Sequence, residues 1–369
     1  MKNTFGNSVA VTLFGESHGE YIGAVIDGLA PGIKIDHDYI SHMLTLRRPE
    51  GKISTPRKEK DDFKIVSGVF NNVTTGTPIT ILIPNENVKS GDYSDMRTVA
   101  RPSHADYTAE CKYHGFQDPR GGGHFSGRIT AALVAAGAVC KYALEQKNIF
   151  IGTHIKRCAG ISDRDFCDYL WDIKSLDQRK FAVLDEACEE KMRNAILDAA
   201  SDGDSVGGVL ETAVIMVPQG VGEPWFDSVE SMISHMMFSI PAVKGIEFGA
   251  GFAICDMRGS KANDAMRIVG DTVYTVTNNN GGINGGITNG MPIIFRTAIK
   301  PTPTIFKPQE TVDFKAMTDT VLEPKGRHDP AIIHRARVVQ DAATAIVICD
   351  ALAGRFGTDW IENCDKREI

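Results

Sequence analysis

The chain has 369 residues, 42% of them apolar and 24% charged, with a formal net charge of −7 at pH 7. This is a globular composition without the global basic field that nucleic acid demands, so an anionic ligand must be held by local cationic clusters. None of the eight cysteines forms a Cys-x-x-Cys pair or a zinc spacing, which points to reduced thiols and no metal.

The first ten residues lack a charged stretch followed by an apolar one, so no signal peptide is expected. The longest strongly apolar run, 129–140, falls short of the ~20 residues of a membrane helix. A cytoplasmic protein without membrane contact is the expectation. Short β-branched runs bounded by Gly, Pro or Asn predict strands near 9–14, 24–26, 64–69 and 79–83. Between them, Asp36 is a predicted cap for a helix that buries Ile40, Met43 and Leu44.

Two motifs flank that helix. Gly15-Glu16-Ser17-His18-Gly19 follows a strand; its glycines allow a ligand close to the backbone, and His18 can exchange a proton near neutral pH. Leu46-Arg47-Arg48-Pro49-Glu50-Gly51-Lys52, continuing to Arg57-Lys58, is either a solvated cationic helix end or a lid over phosphate and carboxylate.

The densest chemistry comes next. Arg101-Pro102-Ser103-His104-Ala105-Asp106 predicts a helix start, with Ser-x-x-Asp as a capping box. Asp118-Pro119-Arg120-Gly121-Gly122-Gly123-His124-Phe125-Ser126-Gly127-Arg128 then leads into a predicted helix from Ser126, its cap, to about residue 144. Free N–H groups, the helix dipole and two arginines make such an end an anion site. It carries neither a P-loop nor a dinucleotide-binding glycine pattern.

Residues 157–200 read as an irregular polar insertion ending in a helix over 186–199. Residues 278–289, rich in Asn and Gly, read as a loop. Lys300-Pro301-Thr302-Pro303-Thr304 follows the next strand, and Lys325-Gly326-Arg327-His328-Asp329-Pro330 places an Asp beside Arg and His. A drifting internal similarity relates about 22–83 to 207–299, including Ile40-Ser41-His42-Met43 and Ile233-Ser234-His235-Met236. With no low-complexity linker, 1–369 reads as a single α+β domain.

Taken together, the motifs around His18, His104, Gly121, Lys300 and Asp329 occur in one order along the chain and resemble chorismate synthases. The resemblance implies a β-α-β sandwich of two pseudo-equivalent halves, assembled as a homotetramer. It implies a lyase that converts 5-enolpyruvylshikimate 3-phosphate to chorismate and phosphate by anti-1,4-elimination, the last common step of the shikimate pathway. Reduced FMN is implied as cofactor, passing an electron transiently to the substrate.

By the same resemblance His18, His104 and Asp329 are catalytic, with Ser17 supporting them by hydrogen bonding. One histidine would act at the reduced flavin and the other at the leaving phosphate, while Asp329 would assist deprotonation at the flavin. Arg47, Arg101 and Arg128, with Lys52 and Arg57, would hold substrate. FMN would meet His124, Phe125 and Ser126, then Pro241, Ala242 and Gly285. It would also meet Lys300, Pro301, Thr302, Pro303 and Thr304, and finally Arg327.

This chain departs from the family where many members read Arg-Ser-Ser-Ala-Arg and it has His124-Phe125-Ser126-Gly127-Arg128, and where Lys52 stands for a common arginine. Some members reduce their flavin with NADPH. The absence of an extra nicotinamide domain here implies an external reductant. Two rival readings are a metal-dependent phosphatase using His104, Asp106, His328 and Asp329, and a non-catalytic flavin or phosphate sensor.

Overall fold

The computed structural model describes residues 2–49, 51–55, 60–86, 98–323 and 329–361. In chain order the first half contains β1 (Thr4–Phe5), β2 (Ala10–Gly15), β3 (Tyr21–Asp27), α1 (His37–Arg47) and β4 (Lys64–Ser67). A small hairpin, β5 (Val69–Phe70) and β6 (Val73–Thr74), precedes β7 (Ile79–Pro84). The sheet runs β1-β2-β3-β7-β4 with every pairing antiparallel. β7 shows why the sheet has a dry face: Ile79, Ile81 and Ile83 recur at period two and are all buried. Asp36 caps α1 as expected, accepting from the Tyr39 N–H at 2.9 Å, and Ile40, Met43 and Leu44 are buried.

The next two helices carry the site. α2 (Asp106–Tyr113) starts later than the sequence suggests. Ser103 is no cap: its φ is +58°, and the Asp106 carboxylate that would complete a capping box is bound by Arg101 instead. Before α3 (Thr130–Gln146) the chain makes a 3-10 turn, Gly127–Ile129, capped by Ser126 Oγ accepting from Arg128 N at 3.3 Å.

The second half contains β8 (Phe150–Cys158), β9 (Ile161–Ser162), α4 (Tyr169–Leu176), α5 (Glu186–Ser201), β10 (Gly208–Ile215), α6 (Val229–Ser239), β11 (Val243–Phe248) and the short α7 (Gly259–Ala262). Two hairpins follow: β12 (Met266–Val269) with β13 (Thr272–Thr275), and β14 (Ile283–Asn284) with β15 (Ile287–Thr288). Then come β16 (Ile293–Ile299), the hairpin of β17 (Gln309–Asp313) and β18 (Thr318–Leu322), and α8 (Ile333–Phe356). The stretch 157–200 is thus not irregular. It holds the end of β8, β9, and α4, whose Asp168 cap is easily lost among so many aspartates. The Asn/Gly loop also folds into a hairpin, because glycines at positive φ make its turn.

The second sheet runs β11-β16-β10-β8-β9, again antiparallel throughout. Its β8-β10-β16-β11 matches β2-β3-β7-β4 strand for strand, with α6 placed like α1 and α8 like α3. The fold is therefore a β-α-β sandwich of two pseudo-equivalent halves. α3 packs on β3 and β7, α8 on β8 and β10, and the two helices pack on each other. Their approach is close at Gly137, where a Cβ would lie 2.3 Å from the Ala342 carbonyl oxygen. The span Gly127–Gln146 is long and apolar enough to cross a membrane, contrary to the shorter apolar run read from sequence, but it is mostly buried inside this sandwich.

Candidate active site

The site grows from a turn and a glycine loop that lock together. β2 ends at Gly15, and Ser17 and His18 follow in a buried turn closed by Gly19 N–H donating to the Glu16 carbonyl at 3.1 Å. Ser17 N–H donates to the Gly123 carbonyl at 3.1 Å. Ser17 Oγ lies 2.9 Å from His18 Nδ1 and 3.2 Å from the Arg120 carbonyl oxygen. A hydroxyl has one proton, so when Ser17 donates it to that carbonyl, Oγ accepts from Nδ1–H of His18.

Gly121, Gly122 and Gly123 have φ of +60°, +91° and +54°, which only glycine adopts in sequence without strain. The backbone also comes too close for side chains. A Cβ on Gly121 would sit 2.1 Å from His18 Cε1, and one on Gly122 would sit 3.4 Å from His104 Cε1. The two histidines therefore rest against adjacent peptides of one loop. His124 Nδ1 lies 2.8 Å from the Gly15 carbonyl oxygen, tying the loop to the end of β2. Phe125 is partly exposed and meets Tyr113 edge-on.

His104 is fixed from several sides. Lys300 Nζ donates to the Ser103 carbonyl at 2.6 Å, holding that residue in its left-handed conformation. Burial and the neighbouring Lys244 push the Lys300 ammonium below its usual pKa. Arg101 forks onto Asp106, Nε to Oδ2 at 2.8 Å and Nη2 to Oδ1 at 2.7 Å. Burial opposes ionisation of Asp106, but the hydrogen bonds from Arg101 and His104 outweigh it and hold the carboxyl far below its usual range.

The other basic residues behave differently from one another. Arg47 donates to the Gly127 carbonyl at 2.8 Å and to Thr130 Oγ1 at 3.0 Å. Arg128 donates to Asn85 Oδ1 at 2.9 Å and the Pro84 carbonyl at 3.1 Å. Both guanidinium groups also face Asp61 and are buried, Arg128 in an ion pair with it. Asn85 in turn donates to the Glu16 and Gly19 carbonyls at 3.0 and 2.8 Å, so Arg128 is linked to the His18 turn. Neither Asp61 nor Asn85 stands out in the sequence, since each acts through partners remote in the chain. Lys52 is exposed on a 3-10 turn. Arg57, Arg327 and His328 lie outside the described residues.

A second group adjoins this one. Asp329 accepts from Thr55 N–H at 2.9 Å and forms an ion pair with Arg335. The next residue, Pro330, accepts from Val206 N–H at 2.9 Å, while Ser205 Oγ donates to the Thr302 carbonyl at 2.7 Å. Contacts thus run from Asp329 to Thr302 and on through Lys300 to His104. Pro301 is exposed, and Pro303 and Thr304 are half-buried. Ala242 has φ of +79° and accepts from Lys300 N–H at 3.0 Å; Pro241 beside it is exposed. Gly285 is not joined to this group: its hairpin packs on Ser228 and Val229 at the start of α6, whereas Ala242 follows the end of that helix.

Two features fit an anionic, polar-edged cofactor. Thr302 Oγ1 is buried with no hydrogen-bond partner among the described residues, and Lys300 keeps two ammonium protons beyond the one given to Ser103. The geometry does not favour a metal-dependent phosphatase. Asp106 is forked by Arg101 and Asp329 is paired with Arg335, and no group of three metal-ligating side chains occurs among the described residues.

Known proteins align with this chain over nearly its whole length. A sequence model of the chorismate synthase family matches residues 9–353. A chorismate synthase of Aeropyrum pernix is 43% identical over 368 residues, covering 98% of this chain and 96% of the relative. One from Dehalococcoides mccartyi is 45% identical over 359 residues, covering 97% and 98%. A crystal structure of a chorismate synthase superposes with a TM-score of 0.77 at 29% identity, covering 97% of this chain and 95% of that one. The fold, the histidine pair on its glycine loop and these matches agree: the chain belongs to the chorismate synthase family.

Proposed function

We propose that this chain is a lyase that eliminates phosphate from 5-enolpyruvylshikimate 3-phosphate to give chorismate, with reduced FMN as cofactor and the whole of 1–369 acting as one domain. The observation that carries the reading is the placement of His18 and His104 on adjacent peptides of the Gly121-Gly122-Gly123 loop, in a chain of this family.

Reduced FMN supplies an electron transiently to the substrate when bound. Lys300, Thr302 and Ser126 would hold it, together with His124, Phe125, Pro241, Ala242, Pro301, Pro303, Thr304 and Arg327, whereas Gly285 lies apart from this group. His104 gives a proton at the leaving phosphate, its outer ring edge lying against the Gly122 peptide. His18, oriented by Ser17, holds a proton against the neighbouring Gly121 peptide. Asp329 assists proton removal from a position fixed by Thr55 and Arg335. Arg101, Arg47 and Arg128, with Lys52 and Arg57, provide the positive field for the substrate's phosphate and two carboxylates.

The enzyme works in the cytoplasm as a homotetramer and takes its reducing equivalents from an external source rather than oxidising NADPH itself. Exposed apolar side chains on the β12–β13 hairpin, among them Met266, Ile268 and Val269, support self-association.

Anaerobic phosphate release from 5-enolpyruvylshikimate 3-phosphate tests the proposal. Release with chemically reduced FMN, but not with oxidised FMN or with NADPH and oxidised FMN, is expected, together with chorismate absorbance. Metal-dependent release without flavin would refute it, as would flavin binding without turnover.

A further inference from the structure

We propose that Asp106 is the positioning residue for His104, accepting the hydrogen bond of its Nδ1–H and so presenting Nε2 to the glycine loop. The inference rests on the lyase reading only for its kinetic consequences. Asp106 Oδ1 lies 3.1 Å from His104 Nδ1 and 2.7 Å from Arg101 Nη2, and Oδ2 accepts from Arg101 Nε at 2.8 Å and from Arg101 N–H at 3.0 Å. The carboxylate is thereby clamped by the guanidinium fork and the Arg101 N–H, with one lone pair left for the imidazole.

Arg101 Nη2 also lies 3.1 Å from Nδ1, which admits the opposite tautomer, with the ring accepting from arginine. The acid form of the ring decides between them. An imidazolium carries protons on both nitrogens, a guanidinium accepts none, and the acceptor within reach of Nδ1 is Asp106. A histidine that gives its Nε2 proton to a leaving anion and must be reprotonated therefore needs the carboxylate in each cycle. The ring edge beyond it faces Gly122, whose Cβ would meet Cε1 at 3.4 Å and Nε2 at 3.8 Å. Among the described residues, the other charged or titratable groups around His104 are Arg101 on its own segment, Lys300 on the Ser103 carbonyl, and His18 beyond Gly121; Gly122 and Ser126 bring no charge.

The test is a histidine NMR titration of the resting full-length protein, comparing the wild type with Asp106→Asn, Asp106→Glu and His104→Ala, the last to assign the signal. Removing the carboxylate in Asp106→Asn is expected to change the Nδ1 and Nε2 tautomer shifts of the His104 ring. Asp106→Glu restores part of that change.

In turnover, Asp106→Asn is expected to lower kcat by roughly 10-fold or more with KM little changed, to move the basic limb of the kcat profile to lower pH, and to add nothing once His104 is alanine. Unchanged His104 ring shifts in a folded Asp106→Asn protein overturn the proposal, as does a loss confined to KM. Because the titration needs no substrate or flavin, its failure is distinguishable from failure of the lyase reading, which would appear as absent turnover in the wild type.

Discussion

Gly121→Ala isolates the geometry on which the site depends. An added Cβ would lie 2.1 Å from His18 Cε1, 2.3 Å from Nδ1 and 2.8 Å from Ser17 Oγ. Carbon atoms in ordinary contact are about 3.5 Å or more apart, so the imidazole must retreat by more than about 1 Å. Displacement on that scale costs on the order of 10²-fold in rate when a group must meet a reacting atom. The φ of +60° adds strain of about 1–2 kcal/mol for any residue with a Cβ.

The expected result is a folded protein, slightly lowered in Tm, whose kcat with reduced FMN falls about 100-fold. Gly127→Ala is the control, because its Cβ would meet no heavy atom within 4 Å and its φ is not in the left-handed range. It should leave kcat within about twofold, as expected for a substitution compatible with the local backbone. Calorimetry, circular dichroism and anaerobic stopped-flow on the two variants check this. If folded Gly121→Ala turns over like the Gly127→Ala control, the packing of His18 on the loop is irrelevant to the chemistry and the reasoning fails.

Other predictions concern the site and its support. His104→Ala should fold normally and lose about 10²-fold or more in turnover, as for removal of a general acid; near-normal phosphate release would remove the role assigned to it. Gly137→Val places a side chain into the Ala342 backbone and should destabilise by about 3 kcal/mol or more, read as a lower urea midpoint with unchanged slope.

His334 is fully buried, bonded to Ser54 Oγ at 2.7 Å, and burial, reinforced by the charges of Arg335, Arg193 and Lys180, pushes its pKa down to about 3. The unfolded chain titrates this histidine near 6.5, so below that pH the unfolded state holds a proton the native state does not. Stability should therefore fall as pH drops from about 6.5 toward 3, by up to ~1.4 kcal/mol per unit from this group. His334→Gln should flatten urea stability between pH 7 and 5, and an unchanged pH dependence would contradict the burial argument.

Much of the fold was readable because local signals agreed with the tertiary outcome. The Asp36 cap, the alternation of Ile79, Ile81 and Ile83, and the Ser126 turn each act within a few residues. α8 was not read, although it is the longest helix described: it is buried nearly all round, so polar groups such as Arg337, Gln340 and Asp341 interrupt any apolar stripe. Those groups are satisfied across the fold; Gln340, for example, bridges Thr297 and Thr212 at 2.6 and 2.7 Å. The helix start at Ser103 was misplaced because Asp106 had a stronger partner in Arg101 than a helix N-terminus offers.

The sequence by itself determined the chemical inventory: two histidines, an aspartate, a cluster of arginines and three consecutive glycines, with an order that resembles one family. Their identities are written locally, and glycine's backbone freedom and the titration of histidine are properties of single residues. Only the tertiary structure decided their pairing. It set His18 and His104 on neighbouring peptides, gave Arg101 to Asp106, turned Arg47 and Arg128 toward Asp61, and left Gly285 at the far end of α6. These relations join residues tens to hundreds of positions apart. They follow from how two sheets close over a shared helical layer, which no window along the chain contains.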